Sequence, residues 1–108
     1  MKILFDQGTP VPLRHALARH VVSTAFEMGW AALENGDLLK RASNEFDVLV
    51  ATDQNLRFQQ DLSRYRLAVL VLTTTSWPRI QDHLSDVTSA IEAALPGDYR
   101  EITFPSRK

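Results

Sequence analysis

Between Leu67 and Leu72 the chain reads LAVLVL, six apolar residues without a polar interruption. A strand that shows one face to water alternates apolar and polar residues, whereas a strand covered on both faces does not. The run therefore predicts a strand with a packed layer above and below it. Lys2 to Phe5 (KILF) and Val48 to Thr52 (VLVAT) read the same way. Val21 to Thr24 adds a short β-branched strand, and Tyr99, Ile102 and Phe104 suggest a final, partly exposed edge strand.

The intervening segments carry helical spacing. Thr9 is a candidate cap and Pro10 suits a first helical position. Leu13, Ala16, Leu17 and His20 then define a helix of about ten residues. Asn35 is a candidate cap for a helix over Asp37 to Glu45, with Leu38, Leu39 and Ala42 facing inward. Gln54 to Tyr65 reads as a polar helical excursion. From Pro78 onward, Ile80, Leu84, Val87, Ile91 and Leu95 recur every three or four residues, predicting one long helix stopped by Pro96 and Gly97. Strands separated by helices define βαβ units. The expectation is an α/β fold: a three-layer α/β/α sandwich with a mostly parallel sheet of four to five strands. At 108 residues it forms a single domain over 1–108.

Charge and cysteine content narrow the chemistry. The net charge is −1, so a polyanion would need a local basic patch rather than attraction by the whole molecule. The chain has no cysteine, which removes disulfides and thiolate metal sites and makes a cytoplasmic location the expectation. No segment approaches membrane-spanning length, so no membrane partner is expected.

Two of the buried strands end alike. KILF runs into Asp6 and Gln7, and VLVAT runs into Asp53, Gln54 and Asn55. Ligands of parallel sheets gather outside the carboxyl ends of the strands, where both pairs fall. Asp37, in the first turn of the helix leading to the Val48 strand, belongs to the same edge by connectivity. Three converging carboxylates would repel one another unless a cation were present, and hard oxygen ligands suit Mg²⁺ or Mn²⁺. The chemistry implied is metal-assisted hydrolysis of a phosphodiester. The structural alternative is turn formation for Asp6 and Asp53, and dipole-favoured placement for Asp37. His15, His20 and His83 fall on separate segments and do not suggest a histidine metal site. Arg57, Arg64, Arg66, Arg79, Lys40 and Arg41 are candidate phosphate contacts, and otherwise solvated charges.

The segments ILFDQGTP, NGDLLKRA and VLVATDQNL, in that order, resemble the PIN-domain nucleases, particularly the small PIN-like proteins of toxin type. The resemblance implies catalytic and metal-binding roles for Asp6, Asp37 and Asp53. It implies Mg²⁺ or Mn²⁺ as cofactor, and a first strand lying beside the Val48 strand. Thr52, Gln54, Asn55 and Gln7 would position ligands or substrate. The function implied is a divalent-metal-dependent endoribonuclease (a hydrolase), serving as the toxin of a bacterial toxin–antitoxin pair. Candidate partners are RNA, a cognate antitoxin protein and a second copy of the chain. The family's additional early strand–helix unit, which carries a further acid, is missing here; Glu27 and Glu34 are the nearest replacements. The alternative function is a catalytically inactive PIN-like module that binds a partner protein, with Trp30 and Trp77 near its contact surface.

Overall fold

The computed structural model describes residues 1–56 and 61–105. Five strands, β1 (Lys2–Phe5), β2 (Val21–Thr24), β3 (Val48–Ala51), β4 (Ala68–Leu72) and β5 (Tyr99–Ile102), form one sheet in the order β2-β1-β3-β4-β5. Every pairing is parallel. The helices are α1 (Asn35–Glu45), α2 (Trp77–Gln81) and α3 (Leu84–Ala93), with 3₁₀ segments at Val11–Leu17 and Leu62–Arg64.

Alternate residues of the apolar runs feed two separate cores. Ile3, Phe5, Val48, Val50, Leu70 and Leu72 pack on one face with Leu13 and Leu17 of the first 3₁₀ segment, Ile80 of α2, and Val87 and Ile91 of α3. Leu4, Leu49, Ala51, Val69 and Val71 pack on the other with Leu38, Leu39 and Ala42 of α1, and with Trp30 and Phe46. Unbroken apolar strands are needed because each side of the sheet is covered, giving three layers.

Several local expectations change. The first helix is a 3₁₀ segment that ends at Leu17 and leaves Ala16 exposed. Thr9 does not cap it; Pro10 holds the cap position, with no side-chain bond. α1 begins at Asn35 rather than Asp37, with Glu34 in the cap position and no side-chain cap. Asn35 is thus the first helical residue, and its side chain is engaged elsewhere. The single long helix is two. It breaks at Asp82 and His83, where the His83 N–H bonds to the Ile80 carbonyl (2.9 Å) and its ring meets the Phe104 edge. The break lets Ile80, Val87 and Ile91 all reach the same core. Leu95 lies past the end of α3 and is exposed. Gly97 takes a positive φ of 88°, turning the chain into β5 as glycine does at little cost. The excursion expected over Gln54 to Tyr65 contains residues 57–60, Arg57 among them, which lie outside the described residues.

The chain moves from β1 to one side for β2, then crosses to the other side for β3, β4 and β5. This reversal puts a topological switch point between β1 and β3, the place where the adjacent loops part and leave a crevice at the carboxyl edge. Phe5 pairs with Val50 at that edge, which supplies the expected adjacency of the first strand and the Val48 strand. Among the described residues, no helix is long and apolar enough to cross a membrane.

Candidate functional site at the carboxyl edge of the sheet

Asp6 is the first residue beyond β1, and its N–H donates to the Val50 carbonyl of β3 (3.0 Å). Its carboxylate is partly buried and takes three donors. Oδ1 accepts from the Thr9 hydroxyl (2.7 Å) and the Gly8 N–H (3.1 Å), while Oδ2 accepts from the Thr52 N–H (3.2 Å). The Gly8 bond closes an Asx turn; the Thr52 bond crosses to the end of β3. Gly8 is required here by closeness. A Cβ at that position would stand 2.3 Å from Thr52 Oγ1 and 3.8 Å from Asp6 Oδ1.

Asp53 repeats the pattern. Its Oδ1 accepts from the Asn55 N–H (2.9 Å), again an Asx turn, and its Oδ2 accepts from Asn35 Nδ2 at the start of α1 (3.1 Å). Turn chemistry and a shared edge are therefore both present: each aspartate turns its own chain with one oxygen and braces a neighbouring element with the other. Thr52 joins the two, since its N–H is held by Asp6 and it directly precedes Asp53.

Burial pushes the Asp6 carboxyl above its ordinary 3.8, against the opposing pull of the Thr9, Thr52 and Gly8 donors. Desolvation of the charged form outweighs the hydrogen bonds from these three residues. Thr9 itself is buried, and its Oγ1 lies within bonding distance of both Asp6 Oδ1 and the Val50 carbonyl (2.9 Å). One hydroxyl has a single proton for these two acceptors. A protonated Asp6 could donate to Thr9, freeing the Thr9 proton for Val50, so the local network accommodates either charge state.

The other predicted residues divide by position. Asp37 is exposed in the first turn of α1, where the helix dipole favours a carboxylate; the residue of that turn that reaches Asp53 is Asn35. Gln54 Nε2 donates to the Thr73 carbonyl past β4 (3.3 Å). Gln7, Gln54 and Asn55 are exposed on the rim. Lys40 and Arg41 are exposed along α1, and Arg79 donates to the Phe104 carbonyl. Glu27 is bound at the end of β2: it accepts from Arg14 and from the Thr24 N–H (2.9 Å), while its own N–H donates to Thr24 Oγ1 (3.1 Å). Its carboxyl is lowered, chiefly by the Arg14 hydrogen bond. Glu34 is exposed at the start of α1. Trp30 is a core residue, edge-on to Phe46 at 6.1 Å, rather than part of a contact surface. Trp77 is partly buried against the opposite core.

Thr9, Gly8 and Asn35 are the edge residues that sequence reading did not assign to the site. The Asp-x-Gly-Thr spacing of Asp6 to Thr9 is the signal for the first two, since an aspartate turn places the third following residue back beside the carboxylate. For Asn35 the cap reading hid the alternative.

A carboxylate has about four lone-pair directions, so Asp6 with three donors and Asp53 with two each keep an acceptor direction. Among the described residues, no group of three or more His, Asp or Glu side chains is gathered to hold a metal ion. Any divalent cation at this edge would therefore have at most one or two carboxylate ligands and would complete its shell with water. The donor set does not fit a cage built wholly from protein. Comparison of the chain with family models, with curated proteins and with solved structures finds no match.

Proposed function

We propose that the carboxyl edge is the active site of a PIN-like, divalent-metal-dependent endoribonuclease, acting as the toxin of a toxin–antitoxin pair. The observation that carries this reading is Asp6: a carboxylate whose charged form is disfavoured by burial, kept at the switch point one braced residue from Asp53. Such a charge gains most from a cation. Mg²⁺ or Mn²⁺, when bound, would lower the pKa of a water and offset charge on the phosphate. Asp6 and Asp53 would hold the cation, and Asp37, exposed in the first turn of α1, would add negative charge at that end of the helix. Thr52 fixes the two carboxylates relative to each other, and Gln7, Gln54 and Asn55 offer amides to the RNA.

The test pairs binding with cleavage. Millimolar Mg²⁺ or Mn²⁺ should raise the melting temperature of the wild type and leave Asp6→Asn/Asp53→Asn unchanged. The same double variant should lose cleavage across a panel of RNAs. A wild type that neither gains stability nor cuts RNA would overturn the nuclease reading.

A second reading is supported by the protein donors already held by both oxygens of each carboxylate and by the lack, among the described residues, of a gathered group of three acids. In it the PIN-like fold is catalytically silent and the edge docks a partner protein. That outcome requires the double variant to lose partner binding while no RNA cleavage is seen in either protein.

A further inference from the structure

We infer that Asn35 is the positioning residue of this edge: it holds Asp53 in place from the first turn of α1 and keeps a second charge away from it. The inference rests on the proposed cation site and assigns the α1 contribution to Asn35 ahead of Asp37. Asn35 Nδ2 lies 3.1 Å from Asp53 Oδ2, while the backbone of Asn55 holds Oδ1. Both oxygens of Asp53 are thereby oriented, one by its own turn and one by the helix. Asn35 is partly buried and begins α1, whose cap position makes no side-chain hydrogen bond. An asparagine at a helix start ordinarily serves its own backbone; here its amide is directed across to β3.

The choice of amide over acid matters. A carboxylate at position 35 would suit the helix, because acids are favoured in the first turn. It would also put two like charges about 3 Å apart, which cannot both stay ionised without a counterion. The two effects have opposite signs, so the Asn35→Asp variant reports which neighbour governs the position. If the helix governs, the variant gains stability. If Asp53 governs, it loses stability in chelator and recovers it when a divalent cation is supplied.

The experiment measures melting in EDTA and in millimolar Mn²⁺, with Mn²⁺ affinity measured directly, on the full chain. The variants are Asn35→Ala, Asn35→Asp and Asn35→Asp/Asp53→Asn. Asn35→Asp should melt about 5 °C below wild type in EDTA and gain more from Mn²⁺ than wild type does. Adding Asp53→Asn should cancel both effects, since it restores one amide facing one carboxylate. Asn35→Ala should weaken Mn²⁺ about tenfold or more while melting close to wild type in EDTA, a split that loss of a merely structural contact would not give. The inference is overturned if Asn35→Asp melts at or above wild type in EDTA, or if Asn35→Ala binds Mn²⁺ as tightly as wild type. Should the wild type bind no Mn²⁺, the nuclease reading falls by itself. The EDTA comparison of Asn35→Asp with its Asp53→Asn partner would still decide whether Asn35 governs Asp53.

Discussion

Two aspartates strap β1 to β3 at opposite ends of the same strand pair. Asp47, just before β3, accepts the Lys2 N–H at the start of β1 (2.8 Å), and its own N–H returns a bond to the Lys2 carbonyl (2.8 Å). Asp6, just after β1, accepts the Thr52 N–H beyond the end of β3 and returns its N–H to Val50. The bonding is nearly the same, and the surroundings are not. Asp47 is exposed, with water to solvate its charge. Asp6 is partly buried, takes two further donors, and has its carboxyl raised by desolvation. A strap needs only the first arrangement. The second keeps a carboxylate where burial disfavours its charged form. Concavity points the other way: a hollow of about 370 Å³ opens beside Asp47, lined by Met1, Val48, Arg66, Ala94 and Pro96. Its charged side chains, Asp47 and Arg66, are exposed, so the hollow lacks a desolvated carboxylate of the kind found at the carboxyl edge.

The sharpest break of this asymmetry is Gly8→Ala. The new Cβ would meet Thr52 Oγ1 at 2.3 Å, and the β-branched Thr52 must turn or the Asp6 loop must lift. Overpacking of this kind costs about 1–3 kcal/mol, and the upper end is expected because both bonds to Asp6 from Gly8 and Thr52 are disturbed. Thr52→Ala in the same chain should recover most of the loss in a urea melt. A Gly8→Ala variant as stable as wild type would show that the loop is not braced against β3.

Asp6→Ala comes next, at about 2 kcal/mol. It leaves the Thr52 N–H without its acceptor, and an unsatisfied, partly buried donor costs about 1–3 kcal/mol. Removing the desolvated charge offsets some of this. Thr9 keeps the Val50 carbonyl as an acceptor, so the hydroxyl is not stranded. Denaturant unfolding at neutral pH, with EDTA present, is the check.

How much of this edge could be read from the residues follows from what each kind of signal depends on. The strands were legible because burial on both faces writes an unbroken apolar run, and Leu67 to Leu72 can satisfy that pattern in few ways. The five-stranded parallel sheet and its three layers follow from that. The carboxyl-edge placement of Asp6 and Asp53 was legible for the same reason, through connectivity. Helix ends were not, because caps depend on competing partners. Thr9 and Asn35 both have the chemistry of caps, yet the nearby carboxylates of Asp6 and Asp53 offer charged acceptors, and those bonds form instead. The split of the last helix was hidden as well. Spacings of four, three and four fit one continuous helix, and the break at His83 depends on where Phe104 arrives from β5, a long-range contact.

A pH titration sharpens the contrast with a smaller signal. Asp6 binds its proton more tightly folded than unfolded, because burial raises its folded pKa above 3.8. Its contribution to stability is therefore full below the unfolded value and lost as pH rises through the raised folded value. The melting temperature of wild type minus that of Asp6→Asn, measured in EDTA, should fall as pH rises from about 3.5 to about 7. Burial is the cause that raises the Asp6 carboxyl, while Thr9, Thr52 and Gly8 contribute neutral donors that pull it the other way. Mn²⁺ at pH 7 should reverse the fall. A flat difference, or one that rises with pH, would place Asp6 in the same class as Asp47.

Asp47→Ala should give the smallest change, about 0.5 kcal/mol. It removes one bond to an N–H that is exposed, and water replaces the lost acceptor, so only the small net worth of a hydrogen bond is lost. The reciprocal backbone bond from Asp47 to Lys2 remains, which keeps the start of β3 in register with β1. No divalent cation should alter the melting of this variant differently from wild type, since its carboxylate lies at the amino edge, away from Asp6 and Asp53. If Asp47→Ala costs as much as Asp6→Ala, the two straps are equivalent, and the burial of Asp6 no longer singles out its end of the sheet. If the costs separate by about 1 kcal/mol or more, the two straps are unequal, and burial makes the Asp6 end of the strand pair the costlier one to open.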